Sequence, residues 1–66
     1  MKTNFNPLTI IGKTEKEAIK MLKANDVKKI RVAERNGEVF EMDNEYVKGR
    51  FNLYIENDLV YRFSKG

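Results

Sequence analysis

The chain has no cysteine and no histidine. Without cysteine there are no disulfide staples and no thiolate chemistry, and without either residue the usual ligands of a structural zinc site are missing. No glycine-rich run has the spacing of a phosphate-cradling loop. Ser64 has only Lys65 beside it as a base, and adjacent residues do not form a triad. The acidic residues are scattered, and 66 residues enclose little volume for a dry cleft. An enzyme is therefore not expected, nor is a cofactor or a metal.

Long apolar runs are also missing. The longest, Leu8-Thr9-Ile10-Ile11, is far short of the roughly 20 residues a bilayer requires. Residues 1–7 carry no apolar region of the signal-peptide kind. The expectation is a cytoplasmic protein without membrane contact, or a secreted one if Met1 is not the native start. Charge of one sign is not in large excess either. Thirteen basic against ten acidic residues leave a net charge of +3, which serves solubility more than it serves nucleic-acid binding.

What is present fits one small domain spanning residues 1–66. A chain this short buries only about 60% of the surface its unfolded form exposes. Its stability is therefore expected near 3–5 kcal/mol, about the limit of one thin apolar layer.

Residues 14–25 predict a helix. Thr14-Glu15-Lys16-Glu17 matches a capping box, Ala18, Met21, Leu22 and Asn25 recur at spacings of three and four, and Asn25-Asp26 reads as the stop. Lys29-Ile30-Arg31-Val32-Ala33-Glu34 begins as a half-buried strand. Phe51-Asn52-Leu53-Tyr54-Ile55 alternates with Phe51, Leu53 and Ile55 inward, and Leu59-Val60-Tyr61-Arg62-Phe63 returns after the turn residues Glu56-Asn57-Asp58. A short strand is expected before the helix. The predicted core is Leu8, Ile10, Ala18, Ile19, Leu22, Ile30, Val32, Phe51, Leu53, Ile55 and Val60, with Met21 and Phe63.

Residues 35–49 allow two readings. Asn36-Gly37 is a two-residue hairpin signal, which would make residues 38–42 a further strand. Yet Val39 and Phe40 are adjacent and fall on opposite faces, as in an extended loop. A loop this long in a compact domain is usually functional or disordered.

Two further patterns bear on partners. Lys13, Lys16, Lys20 and Lys23 form a basic helical stripe, with Lys28, Lys29 and Arg31 following, but Glu15 and Glu17 interleave with it as on an ordinary solvated face. Phe51, Tyr54, Tyr61 and Phe63 sit on strands where core packing needs several of them. Nucleic acid is thus not the expected partner, and the oligomeric state is left open.

The order and spacing of these pieces over residues 8–66 resemble the potato inhibitor I family of serine-protease inhibitors, including its bacterial relatives. Ile11-Gly12-Lys13-Thr14-Glu15-Lys16-Glu17-Ala18 is similar to the family's segment entering its helix. Ile30 and Val32 are similar to its first long strand. Gly37-Glu38-Val39-Phe40-Glu41-Met42-Asp43 has its spacing from a glycine to a Met-acidic pair. Gly49-Arg50-Phe51-Asn52-Leu53-Tyr54-Ile55 is similar to the strand behind its loop, and Val60, Phe63 and Gly66 to its closing strand. The order carries the resemblance, since no single piece is specific. Between the Met-acidic pair and Arg50 the chain is about two residues longer than the family pattern, Asn44-Glu45 replaces a Tyr-Arg, and Asn52 stands where a second arginine is usual, as in many bacterial relatives.

The resemblance implies an α+β fold, a single helix packed on a small twisted mixed sheet with a long exposed loop. It also implies a reactive loop at Phe40, Glu41, Met42, Asp43 and Asn44, with Met42–Asp43 as the bond offered to a protease and Arg50 and Asn52 as supports. Arg50 would donate to loop carbonyls or to Asp43, a task that suits its planar fork. Read without the resemblance, Met42 is an ordinary surface or gap-filling residue, Arg50 a solvated charge, and residues 44–48 a surface loop. The alternative function is a non-inhibitory protein-interaction module on the same scaffold, of the kind a phage protein would use to capture a host factor.

Overall fold

Residues 5–40 and 47–66 are described by a computed structural model. Their elements are a 3-10 turn at Pro7–Ile10, helix α1 at Glu15–Ala24, and strands β1 at Lys29–Arg35, β2 at Glu38–Val39, β3 at Arg50–Glu56 and β4 at Leu59–Lys65. The strands form one mixed sheet in the order β2-β1-β3-β4. β1 and β3 are parallel, while β1–β2 and β3–β4 are antiparallel. With one helix against this sheet, the fold class is α+β. Among the described residues no helix is long and apolar enough to cross a membrane.

Helix α1 forms where its cap dictates. The Thr14 hydroxyl accepts from the Glu17 amide at 3.2 Å and the Glu17 carboxylate accepts from the Thr14 amide at 3.3 Å. Two otherwise unpaired amide donors are thereby satisfied. Ala18 and Leu22, one turn apart, are fully buried against the sheet.

The segment before the helix departs from expectation: residues 7–10 coil instead of extending. The Asn6 side chain accepts from the Leu8 amide at 3.0 Å, and Pro7 occupies the first turn, where its fixed φ is already helical. At three residues per turn, positions 8 and 10 lie about 240° apart. Ile10 is buried and Leu8 is 65% exposed, so Leu8 is not a core residue.

Both hairpin turns use left-handed residues. Asn36 and Gly37 have φ of 52° and 83°, and Asn57 and Asp58 have φ of 55° and 66°. These are the backbone states of the two-residue turns that suit twisted strands. The turns are also tied together, since the Asn57 amide donates to the Asn36 side chain at 2.8 Å and the Asn36 amide to the Ile55 carbonyl at 2.8 Å.

The core comprises Ile10, Ala18, Leu22, Phe51, Leu53, Ile55 and Val60, with Phe5, Ile19, Met21, Val27, Ile30, Val32 and Phe63 packed around it. Phe51 and Phe63 stack at 5.5 Å between centroids. Two irregularities decide which side chains join this layer. The register of β1 on β3 slips between Val32 and Glu34, and that of β4 slips opposite Tyr54 and Ile55. An extra residue reverses the alternation beyond it. Glu34 consequently pairs with Tyr54 instead of following Ile30 and Val32 inward, and Ala33 is buried at the slip. The same device lets Val60 and Phe63, three residues apart, both face the core.

Leu22→Ala is expected to cost about 2–5 kcal/mol, leaving much of the population unfolded in water. Leu8→Ala should change stability by no more than about 0.5 kcal/mol. Urea denaturation followed by far-UV circular dichroism measures both.

Candidate functional site

Parallel strands cannot be joined by a tight turn. After β1 the chain must travel back the length of the sheet, roughly 20 Å at about 3.3 Å per residue, before β3 can begin. Its outward leg is the β1–β2 hairpin, which among the described residues holds the pairs Glu34–Val39 and Arg35–Glu38. The Phe40 amide then donates to the Ala33 carbonyl at 3.0 Å. At the far end the Arg50 amide donates to the Val47 carbonyl at 3.2 Å, and Gly49 takes a φ of 81°. The return segment is therefore pinned on both sides.

Of the predicted loop residues, Phe40 is half-buried at the first of these pins. Glu41, Met42, Asp43 and Asn44 lie outside the described residues. The two predicted supports, Arg50 and Asn52, occupy alternate positions of β3 and so share the sheet face opposite α1. The Arg50 guanidinium donates to the Gly66 main-chain oxygen through Nε at 3.2 Å and Nη2 at 2.7 Å, and the Gly66 amide donates to the Arg50 carbonyl at 2.9 Å. This closure ties the start of β3 to the end of the chain through a charge-assisted fork.

Asn52 is 6% exposed, unusual for an amide on a sheet's outer face. Its Oδ1 accepts from Arg31 Nε at 2.7 Å and its Nδ2 donates to Ser64 Oγ at 3.3 Å. Ser64 Oγ in turn lies 3.2 Å from the Tyr54 hydroxyl. The row ties β1, β3 and β4 together and satisfies each buried polar atom, the condition under which such a network rigidifies. Sequence reasoning did not identify Arg31, Tyr54, Ser64 or Gly66 as partners. A signal was present in Arg31 between Ile30 and Val32 and Asn52 between Phe51 and Leu53, polar positions alternating with buried ones.

Farther along the same face the Arg62 guanidinium lies 4.3 Å from the Tyr54 ring centroid, and Tyr54 meets Tyr61 edge-on at 6.5 Å. The Tyr61 hydroxyl donates to Glu34 Oε1 at 2.6 Å. This hydrogen bond, with some burial and the charges of Glu34 and Glu56, raises the Tyr61 pKa above its ordinary 10.0, while Arg62 opposes the shift.

The surface clefts among the described residues, such as that lined by Thr14, Glu15, Lys16, Ile19 and Asp58, are open and shallow. Among the described residues no three His, Cys, Asp or Glu side chains converge as a metal site would need.

A raised folded-state pKa stabilises the fold below the unfolded value, and the gain is lost as pH rises through the folded one. Glu34→Ala should therefore lower the Tyr61 titration toward pH 10.0, read from its ring-carbon chemical shift, and remove this alkaline loss of stability. An unmoved titration would mean that the hydrogen bond does not persist in solution. No family model, no curated protein and no solved structure matches this chain.

Proposed function

We propose that the chain is a small inhibitor that engages a serine protease through residues 40–49, with Met42–Asp43 offered as a substrate-like bond, on a scaffold of the potato inhibitor I type. The observation that carries this reading is the frame at the start of β3. Arg50 is closed onto Gly66, and Asn52 is locked between Arg31 and Ser64. A return segment between parallel strands thus ends on groups tied by hydrogen bonds to β1, β4 and the last residue.

Such a frame suits inhibition for a physical reason. A protease cleft binds an extended segment by main-chain pairing and takes one side chain into its pocket. A flexible segment is ordered on binding at an entropic cost, and once cut its new amine diffuses away. A segment ordered beforehand avoids that cost and holds the amine beside the acyl-enzyme, so the peptide bond re-forms. A regular hairpin through residues 38–42 would favour an interaction module of another kind; among the described residues the β1–β2 ladder holds two residue pairs and the Phe40 bond.

The wild-type protein should inhibit a subtilisin-like or chymotrypsin-like enzyme stoichiometrically in a residual-activity assay; rapid cleavage after Met42 without inhibition would sink the proposal. Met42→Gly should weaken inhibition at least about 100-fold, roughly 2.7 kcal/mol, with little change in stability. Arg50→Ala should cost about 1 kcal/mol of stability yet turn the inhibitor into a substrate. Lysine at that position should not rescue, because a point charge does not reproduce the two-pronged contact with Gly66.

A further inference from the structure

We propose that Asn36 is a site of spontaneous main-chain modification in the folded protein, where ring closure onto Gly37 leads to isoaspartate and releases the tie between the two hairpin turns. This does not depend on the inhibitor reading.

The chain has seven asparagines, and Asn36 alone is followed by glycine. In the reaction the Gly37 amide nitrogen attacks the side-chain carbonyl carbon of Asn36. A five-membered succinimide forms as the bond to Nδ2 breaks, and that nitrogen leaves as ammonia with the proton from the Gly37 amide. Water then opens the ring at either carbonyl, giving aspartate or isoaspartate. Nothing is oxidised or reduced.

Four features of the folded turn suit this chemistry. Gly37 has no side chain to shield its nitrogen, and a Cβ built there would meet nothing within 4 Å, so the peptide has room to tilt toward the carboxamide. The carboxamide is already polarised, because Oδ1 accepts from the Asn57 amide at 2.8 Å. That is the distance at which a main-chain donor stabilises the charge that grows on an oxygen when its carbon is attacked. Asn36 is exposed and shares an open surface cleft with Gly37, Glu56 and Asn57, which admits the water that opens the ring. The turn also lies at an edge of the sheet, where among the described residues only two ladder pairs stand behind it, so it opens locally without unfolding the domain.

The two products have different consequences. Aspartate leaves an oxygen where Oδ1 was, and the Asn57 amide keeps its acceptor. Isoaspartate routes the main chain through the former side chain and lengthens it by one atom. A two-residue turn with both residues left-handed does not close on that length, and the acceptor moves away from Asn57.

The test follows wild type and Asn36→Gly by mass spectrometry at mildly alkaline pH, folded and in urea. Each conversion raises the mass by the difference between a hydroxyl and an amino group, and peptide fragmentation places it. A domain this small is unfolded about one per cent of the time or less in water, so reaction through global unfolding alone would run at least about a hundredfold slower folded than in urea. Conversion at residue 36 is expected in the folded wild type within about tenfold of its rate in urea, forming both products. Asn36→Gly, whose Gly-Gly pair still makes the turn, should show none there. A folded rate more than about tenfold below the urea rate would mean that the turn protects Asn36, and would overturn the proposal, as would conversion falling mainly on another asparagine. On the separated products, hydrogen exchange at the Asn57 amide should quicken at least about tenfold in the isoaspartate form and stay as in wild type in the aspartate form. Unchanged exchange in the isoaspartate form would overturn the release of the tie.

Discussion

Because β1 and β3 lie side by side in the same direction, the chain between them has to cross the length of the sheet, with no helix among its described residues to do so. Most parallel pairs are bridged by a helix that buries an apolar face as it returns. Here α1 precedes β1 and is already committed to the sheet, so the return falls to residues 36–49, with a two-residue strand at their start. The rest of the arrangement follows from that constraint. The return segment must be held at its ends, and the groups that hold it, Phe40 on Ala33 and Arg50 on Gly66, lie where it meets the sheet.

The sheet separates an apolar layer from a polar network by face. One side carries Ile30, Val32, Phe51, Leu53, Ile55, Val60 and Phe63 toward α1 and the 3-10 turn. The other carries Arg31, Asn52, Tyr54, Arg62 and Ser64, linked by hydrogen bonds and a cation–ring contact. In so small a domain the apolar layer supplies nearly all the free energy of folding, and it leaves little margin. The polar face contributes less to stability because most of its contacts are partly exposed, but its connectivity fixes the relative positions of three strands.

Two strand irregularities make this separation possible. Without the slip at Ala33, Glu34 would follow Val32 toward the helix, placing a carboxylate in the apolar layer at a cost of several kcal/mol unless it were paired. With it, Glu34 reaches the Tyr61 hydroxyl on the open side. The slip in β4 lets Val60 and Phe63 both point inward despite an odd spacing.

Helix α1, its capping box, the three long strands and both hairpin turns were legible in the sequence, because each depends on residues within a few positions of one another. The capping box needs only Thr14 and Glu17, and the turns need only Asn36-Gly37 and Asn57-Asp58 to enter the left-handed region. What the sequence did not reveal depends on distant partners or on competition between local signals. Leu8 reads as strand core by hydrophobicity, but Asn6 and Pro7 coil the segment and turn it outward. Asn52 reads as a solvent-facing strand residue, yet it is buried because Arg31, 21 residues away in the chain, and Ser64, 12 away, close around it. Strand order, the parallel register that sets Arg31 beside Asn52, and the meeting of Arg50 with Gly66 were decided by tertiary structure. Period-two alternation specifies which face a side chain takes, but it carries no information about which strand will lie alongside.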